Sequence, residues 1–169
     1  MNTVTVEPLG AITESVTLLA RMVANSQRFR ERCGVETEAA ALDRVYYPWL
    51  DAPDHERLRP YALIEQGPDF TWEYRAGGQS NYLAPTGTLR LWLYDNARKT
   101  AMRDNFIDFG NYCDAVVQEL VELAGKDGWL AIDNIRLTVP PMCSDPTKLP
   151  AIREYWGACF DCEWAPSRG

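Results

Sequence analysis

Apolar residues recur at Ile12, Val16, Leu19 and Val23, a four-three-four spacing that places them on one face of a helix. This predicts a long amphipathic helix from Ile12 to about Arg32. Phe29 extends its face, Thr13 or Ser15 caps its start and Gly34 stops it. A shorter helix is expected from Glu38 to about Tyr46. Thr37 is its cap, Ala39-Ala40-Ala41-Leu42 its helix-forming interior and Pro48 its end. An irregular, proline-bounded connection then leads to Pro60.

Beyond Pro60 the period changes from helical to alternating. Tyr61 to Glu65 reads as a short strand broken by Gly67-Pro68, and Phe70 to Arg75 has strand composition before the turn material Gly77 to Asn81. In Thr88 to Tyr94, Leu89, Leu91 and Leu93 alternate with Arg90, Trp92 and Tyr94, so the two sets belong to opposite sheet faces. A third helix is expected from about Thr100 to Leu123, with Phe106, Phe109, Cys113, Val116, Val117, Leu120 and Leu123 as its stripe and Gly125 closing it. Two strands end the pattern, Trp129 to Val139 and Tyr155 to Trp164, separated by a loop from Pro140 to Pro146; Pro166 ends the order. In the last strand Trp156, Ala158, Phe160, Cys162 and Trp164 share a face, with Cys159, Asp161 and Glu163 on the other. The expectation is one α+β domain over residues 1–169: a mostly antiparallel sheet of about five strands, two long helices packed on one face, and a hairpin or loop insertion at about 67–87.

The 169 residues suffice for a core without staples. At 46% hydrophobic and 24% charged they have ordinary globular composition, which excludes collagen, coiled coil and wholesale disorder. No apolar run approaches the ~20 residues that span a bilayer. Met1 to Glu7 lacks the basic start and apolar middle of a secretory signal, so the expectation is a protein made and kept inside a cell. The net charge of −7 argues against tight nucleic-acid binding. The densest basic stretch, Arg28, Arg30 and Arg32, reads as a solvated helix end.

Candidate chemistry is sparse. The five cysteines (Cys33, Cys113, Cys143, Cys159 and Cys162) read as free, buried thiols, and Cys159-Phe160-Asp161-Cys162 lacks the second ligand pair a zinc site needs. The sole histidine, His55, sits with Asp51, Asp54, Glu56 and Arg57 in a loop that reads as solvated but could serve a small cytoplasmic enzyme. There is no G-x-S-x-G elbow, and Gly77-Gly78-Gln79-Ser80 lacks the lysine of a phosphate loop. No catalytic residue, cofactor or metal site is expected. Aromatic residues are plentiful: six Trp, eight Tyr and five Phe. Trp72, Tyr74 and Tyr82 fall in the Gly-rich stretch from Gly67 to Gly87, where aromatics are candidates either for a partner surface or for the end of the core. With Arg90, Trp92, Tyr94, Asp161 and Glu163 on the sheet face away from the helices, they make up the candidate assembly interface.

The order of elements resembles the tail-terminator, or tail-completion, proteins of long-tailed bacteriophages. A leading helix is followed by Pro60 to Ile64, a hairpin-like insertion, the strand Gly87 to Tyr94, a helix opening with Phe106 and Phe109, and the strands Ile132 to Val139 and Tyr155 to Trp164. The resemblance implies a non-catalytic virion protein. It would form a hexameric ring on the end of the tail tube, stop the polymerisation of tube protein and present a surface to the head–tail connector. DNA would pass through the bore without specific binding, and an acidic bore suits that passage. The place implied is the phage tail or neck, with assembly in the host cytoplasm and no membrane. Ring closure needs heterologous contacts, and the final strand is a candidate edge for pairing with the next copy. The insertion is a candidate for ordering only on assembly. Another neck component, an adaptor or a head-completion protein, would share much of this pattern.

Overall fold

The computed structural model describes residues 13–47, 60–77, 80–124, 126, 132–143 and 155–164; for 14, 72–77, 80–86 and 164 it describes the backbone alone. His55 and its acidic neighbours, Gly125 and the strand start at 129–131 lie outside the described residues. The elements in chain order are α1 (Glu14–Ala24), α2 (Gln27–Cys33), α3 (Glu38–Leu42), β1 (Val45–Tyr46), β2 (Tyr61–Gln66), β3 (Thr71–Gly77), β4 (Ser80–Asn96), α4 (Met102–Leu123), β5 (Ile132–Cys143) and β6 (Tyr155–Trp164). The fold is α+β, with sheet order β1-β2-β4-β6-β5 and β3 pairing with β4 outside that path.

The core forms where the leucine alternation placed it. Leu89, Leu91 and Leu93 are fully buried, opposite Gln66, Ile64 and Ala62 on β2 and opposite Cys162, Phe160 and Ala158 on β6. Val16, Leu19 and Val23 of α1, Phe29 of α2, and Phe109, Cys113, Val116 and Leu120 of α4 join them in one cluster. Each fully buried side chain of this size contributes roughly 1.5–3 kcal/mol relative to exposure.

The helices depart from expectation in a definite way. The predicted long first helix is broken at Asn25-Ser26 into α1 and α2, so α4 alone is long. Ser26 makes the break. Its extended backbone starts α2, its hydroxyl accepts from the Phe29 amide at 3.1 Å, and the same hydroxyl donates to Glu119 on α4 at 2.5 Å. The break turns α2 so that Phe29 reaches the core. Ser26 is buried, so Ser26→Ala is expected to cost about 1–2 kcal/mol, the range for losing a cap, read from the urea midpoint. Gly34, at φ 70°, stops α2, and Thr37 caps α3 through the Ala40 amide at 3.1 Å.

The second helix ends at Leu42, short of its predicted Tyr46. Val45 and Tyr46 instead form β1, parallel to β2 opposite Ala62 and Leu63. The sheet is therefore mixed rather than mostly antiparallel; β2–β4, β3–β4, β4–β6 and β5–β6 are its antiparallel pairs. The final strand is not an edge either: β6 lies between β4 and β5, and β5 is the outer strand. Pro140 and Pro141, expected in a loop, continue β5, because an edge strand tolerates residues without an amide hydrogen. Bulges interrupt its pairing between Ile132 and Asn134, Leu137 and Val139, and Val139 and Met142.

Candidate assembly surface

The sheet face away from the core can be read strand by strand from the register. Glu65, Arg90, Asp161 and Arg136 lie side by side across β2, β4, β6 and β5, a row of alternating charge. Arg90 approaches Asp161 at 3.4 Å. Asp161 is buried, and its Oδ1 accepts no hydrogen bond. The next row is Leu63, Trp92, Cys159 and Val139, and the next holds Tyr61, Tyr94, Gly157 and Met142.

Aromatic rings knit this face together. Tyr46 meets Tyr61 edge-on at 5.5 Å, Tyr61 meets Tyr94 at 5.0 Å, Trp92 stacks on Tyr94 at 5.8 Å and Tyr155 meets Tyr94 at 5.9 Å. The Trp92 indole donates to Glu65 at 3.1 Å. Tyr94 lies so close over Gly157 that an added Cβ there would stand 2.9 Å from its ring. Burial pushes the Tyr94 phenol and the Cys159 thiol up from their ordinary values, so both stay neutral at physiological pH. Tyr61 and Cys159 are buried yet stand outside the main core cluster, so this face carries a small second core of its own. Arg90, Trp92, Tyr94, Asp161 and Glu163 thus share one face, as the alternation predicted, but much of their surface is already spent on one another.

Trp72, Tyr74 and Tyr82 belong to a different construction. β3 pairs with the first half of β4 from Thr71 opposite Thr86 to Gly77 opposite Ser80, beyond the last pairing of β6 at Gly87. Among the described elements β3 packs substantially against β4 alone. The insertion is thus a two-stranded ribbon leading off the sheet. Its register puts Trp72, Tyr74, Ala76, Asn81, Leu83 and Pro85 at positions of one face, and Tyr82 with Glu73 and Arg75 on the other.

A further surface was missed by sequence reading. The large apolar side chains that remain exposed among the described residues are Phe106, Ile107 and Val121 on α4 and Leu137 and Met142 on β5. They were hard to see because Phe106 belongs to the same apolar stripe as the buried Phe109 and itself meets Trp156 at 6.3 Å. A signal existed in Ile107 and Val121, which fall within about 60° of Phe106 or of each other at 100° per residue but off the centre of the buried stripe.

The basic stretch also needs correction. Arg28 is exposed, pairing with Glu31 at 3.4 Å, but Arg32 is largely buried. It donates to Asp95 and, at 2.6 Å, to Asp108, and its guanidinium lies 4.9 Å from the centre of the Tyr112 ring. An open cleft of about 290 Å³ between α2 and α4 is lined by Arg28, Glu31, Arg32, Asp108 and Tyr112 together with Arg98 and Asn111. Arg98 pairs with Asp95 at 2.7 Å, so the cations lining the cleft are matched by acids of the chain itself. Its chemistry is that of a seam between helices.

The thiols show the same internal character. Cys33 and Cys162 are each pushed up to about 12 by burial, and Cys113 rises for the same reason. Cys159 and Cys162 sit on opposite faces of β6, opposite Trp92 and Leu89 respectively, and so cannot act as a chelating pair. Among the described residues no three His, Cys, Asp or Glu side chains gather as metal ligands, and no described helix is long and apolar enough to cross a membrane.

No family model and no curated protein matches this chain. Among solved structures, a chain of the "Virion of native gene transfer agent (GTA) particle" aligns over 85% of this chain and 97% of its own, at 9% identity and a TM-score of 0.31. A likeness of that size carries no argument about fold or role.

Proposed function

We propose that this chain is a structural protein of a phage-like virion, a tail terminator that closes the tail tube as a ring. The observation that carries the reading is that Phe106, Ile107 and Val121 of α4 stay exposed, with Leu137 on the helix-side face of the outer strand β5 and Met142 on its other face. Exposed apolar side chains that adjoin one another, rather than lie scattered, mark surfaces meant for another protein. The element order and the amphipathic ribbon support it. In this reading copies of the chain form a hexameric ring. One rim of the ring docks on the tail tube protein and stops polymerisation, and the other offers a surface for joining to the head–tail connector in the neck. The role is structural rather than catalytic and uses no cofactor. The net charge of −7 per subunit suits a bore through which DNA slides without being held.

Electron microscopy of the purified protein, alone and with tail tubes, tests this. Rings with an open centre, found also at tube ends, are expected. A protein that stays monomeric and ignores tubes would end the proposal, and one that decorates head connectors but not tubes would make it an adaptor.

A further inference from the structure

The geometry points to a binding site for a single carboxylate in the cleft between α2 and α4. The site belongs to one copy of the chain and does not depend on the assembly reading.

The charges on the cleft wall are matched, but its hydrogen-bonding groups are not. Both acids of the wall are already engaged. Glu31 accepts from Gln27 at 2.9 Å and from Arg28 at 3.4 Å, and both oxygens of Asp108 accept from Arg32. The donors are left over. A guanidinium carries five N–H donors. Arg28 uses only its Nη1 on a side chain, and Arg98 uses Nε and Nη2, on Asp95 and on the Arg32 carbonyl, so the Arg98 Nη1 has no acceptor among the described residues. The side-chain amide of Asn111, on the α4 wall, has no partner among them either. Tyr112 lines the cleft although it is buried, and its hydroxyl makes no hydrogen bond. Burial pushes this phenol well above its ordinary value, so it keeps its proton and stays a donor without an acceptor. A buried polar group left in that state is uncommon in folded proteins and points to a partner from outside the chain.

The donors are held in place. Asn105, buried on α4, accepts from the amides of Arg98 and Lys99 at 3.0 and 2.7 Å and donates to the Lys99 carbonyl at 2.9 Å, which fixes the connection after β4 beside the cleft. Anchored donors lower the ordering cost of binding. The Arg28–Glu31 pair is looser, with both side chains more than half exposed, and an exposed pair exchanges one carboxylate for another at little cost.

The class of ligand follows from charge and size. Four cations, Arg28, Arg32, Arg98 and Lys99, gather around three carboxylates, Glu31, Asp95 and Asp108; Lys99 stands near enough to Asp108 to help hold its carboxyl low. One positive charge is therefore in surplus, in a chain whose net charge is −7. One carboxylate cancels it, whereas a phosphate monoester, with about two negative charges, overshoots. A guanidinium fork also matches the two oxygens of a carboxylate. At about 290 Å³ the cleft sits at the lower end of the range for small-ligand pockets and suits a carboxylate on a short stem.

Titration of the full chain followed by nuclear magnetic resonance tests the site with two probes. N-acetylglycine is a free monocarboxylate, and the capped peptide acetyl-Ala-Glu-Ala-amide offers the same group on a protein side chain. Saturable shifts in the millimolar range are expected for the Arg28 and Arg98 Nε–H signals and the Asn111 amide, with the Arg136 signal unmoved. Arg136, on β5, is as exposed as Arg28 and so controls for ionic strength. Arg28→Gln combined with Asn111→Ala is expected to weaken binding more than about fivefold. Its thermal midpoint should stay near that of the wild type, because both side chains are exposed. Tighter binding of the peptide assigns the site to an acidic side chain of another protein, and tighter binding of N-acetylglycine assigns it to a small carboxylic acid; either supports the site. Shifts that never saturate and move Arg136 alike would overturn it, as would a double variant that binds like the wild type. Inorganic phosphate binding more tightly than both probes would overturn the ligand class.

Discussion

Replacing Arg32 with methionine is expected to destabilise the fold by roughly 3 kcal/mol, the low end of the cost of breaking a buried ion pair from one side. The side chain is 14% exposed and bridges three elements: it starts on α2, donates to Asp95 at the end of β4 and reaches Asp108 on α4. Asp95 is 1% exposed, and Arg98, its other cationic partner, is 42% exposed. Without Arg32 the Asp95 carboxylate stays buried with half its compensation. At this chain length the loss corresponds to a fall of roughly 6–12 °C in thermal midpoint. Adding Asp95→Asn should recover part of it, because a buried amide costs less than an uncompensated charge. Arg32→Lys should not restore the wild-type midpoint, since a single ammonium cannot present the fork that serves both acids.

The same cluster fixes an acid dependence. The hydrogen bond from Arg32 holds the Asp108 carboxyl below the usual carboxylate range. Its contribution is therefore fully present above the unfolded value, about 3.9, and is lost as pH falls through the lowered folded value. Urea midpoints measured from neutral pH down into that window should fall for the wild type. In Arg32→Met this part of the acid slope should flatten; an unchanged slope would mean that Arg32 does not set it.

Arg32 also shows where sequence reading stops. Its neighbours Arg28, Arg30 and Glu31 make it look like part of a solvated helix end, and nothing local distinguishes it. Its partners lie 63 and 76 residues away, and only the packing of α2 against α4, beside the end of β4, brings them together. The core of the sheet was legible for the opposite reason. Leu89, Leu91 and Leu93 carry their face in their own spacing, and any fold that buries one side of β4 buries all three. Thr37 and Gly34 were legible because caps are local chemistry.

The break at Ser26 lies between these cases. Phe29 is six residues past Val23, about 240° around a helix, and so could not share its face without an interruption. A serine one turn before a buried phenylalanine is a start signal that apolar periodicity passes over. Strand order was beyond reach. Pro140 and Pro141, the residues that mark β5 as the edge, read as a loop in sequence, and nothing in the aromatic-rich β6 shows its place in the order. The surface assigned from alternation, Arg90, Trp92 and Tyr94 with Asp161 and Glu163, was therefore placed on one sheet face as expected, while the exposed apolar side chains of α4 and β5 went unseen.

Gly87→Ala is expected to cost about 2–5 kcal/mol, combining a backbone conformation that L residues rarely adopt with overpacking against main chain. Gly87 has φ 131°, and an added Cβ would stand 2.5 Å from the Phe70 Cα and 2.8 Å from the Asp69 carbonyl oxygen. Neither can move as a side-chain end can, because the turn before β3 is tied to β4 by Gly67 donating to the Thr88 carbonyl at 2.8 Å and by Thr88 donating to Asp69 at 2.9 Å. The position is also where the six-residue pairing of β2 gives way to the ribbon, so the strain can be relieved in two ways. If the sheet yields, the thermal midpoint falls and hydrogen exchange quickens throughout β4. If the ribbon yields, exchange quickens only in 71–77 and 80–86 and the midpoint falls less. The second pattern is the expected one, because Leu89, Leu91 and Leu93 hold the sheet half of β4 between two strands, whereas the ribbon half has β3 alone. A Gly87→Ala protein with wild-type stability and exchange throughout would show that the backbone at this junction adopts another conformation.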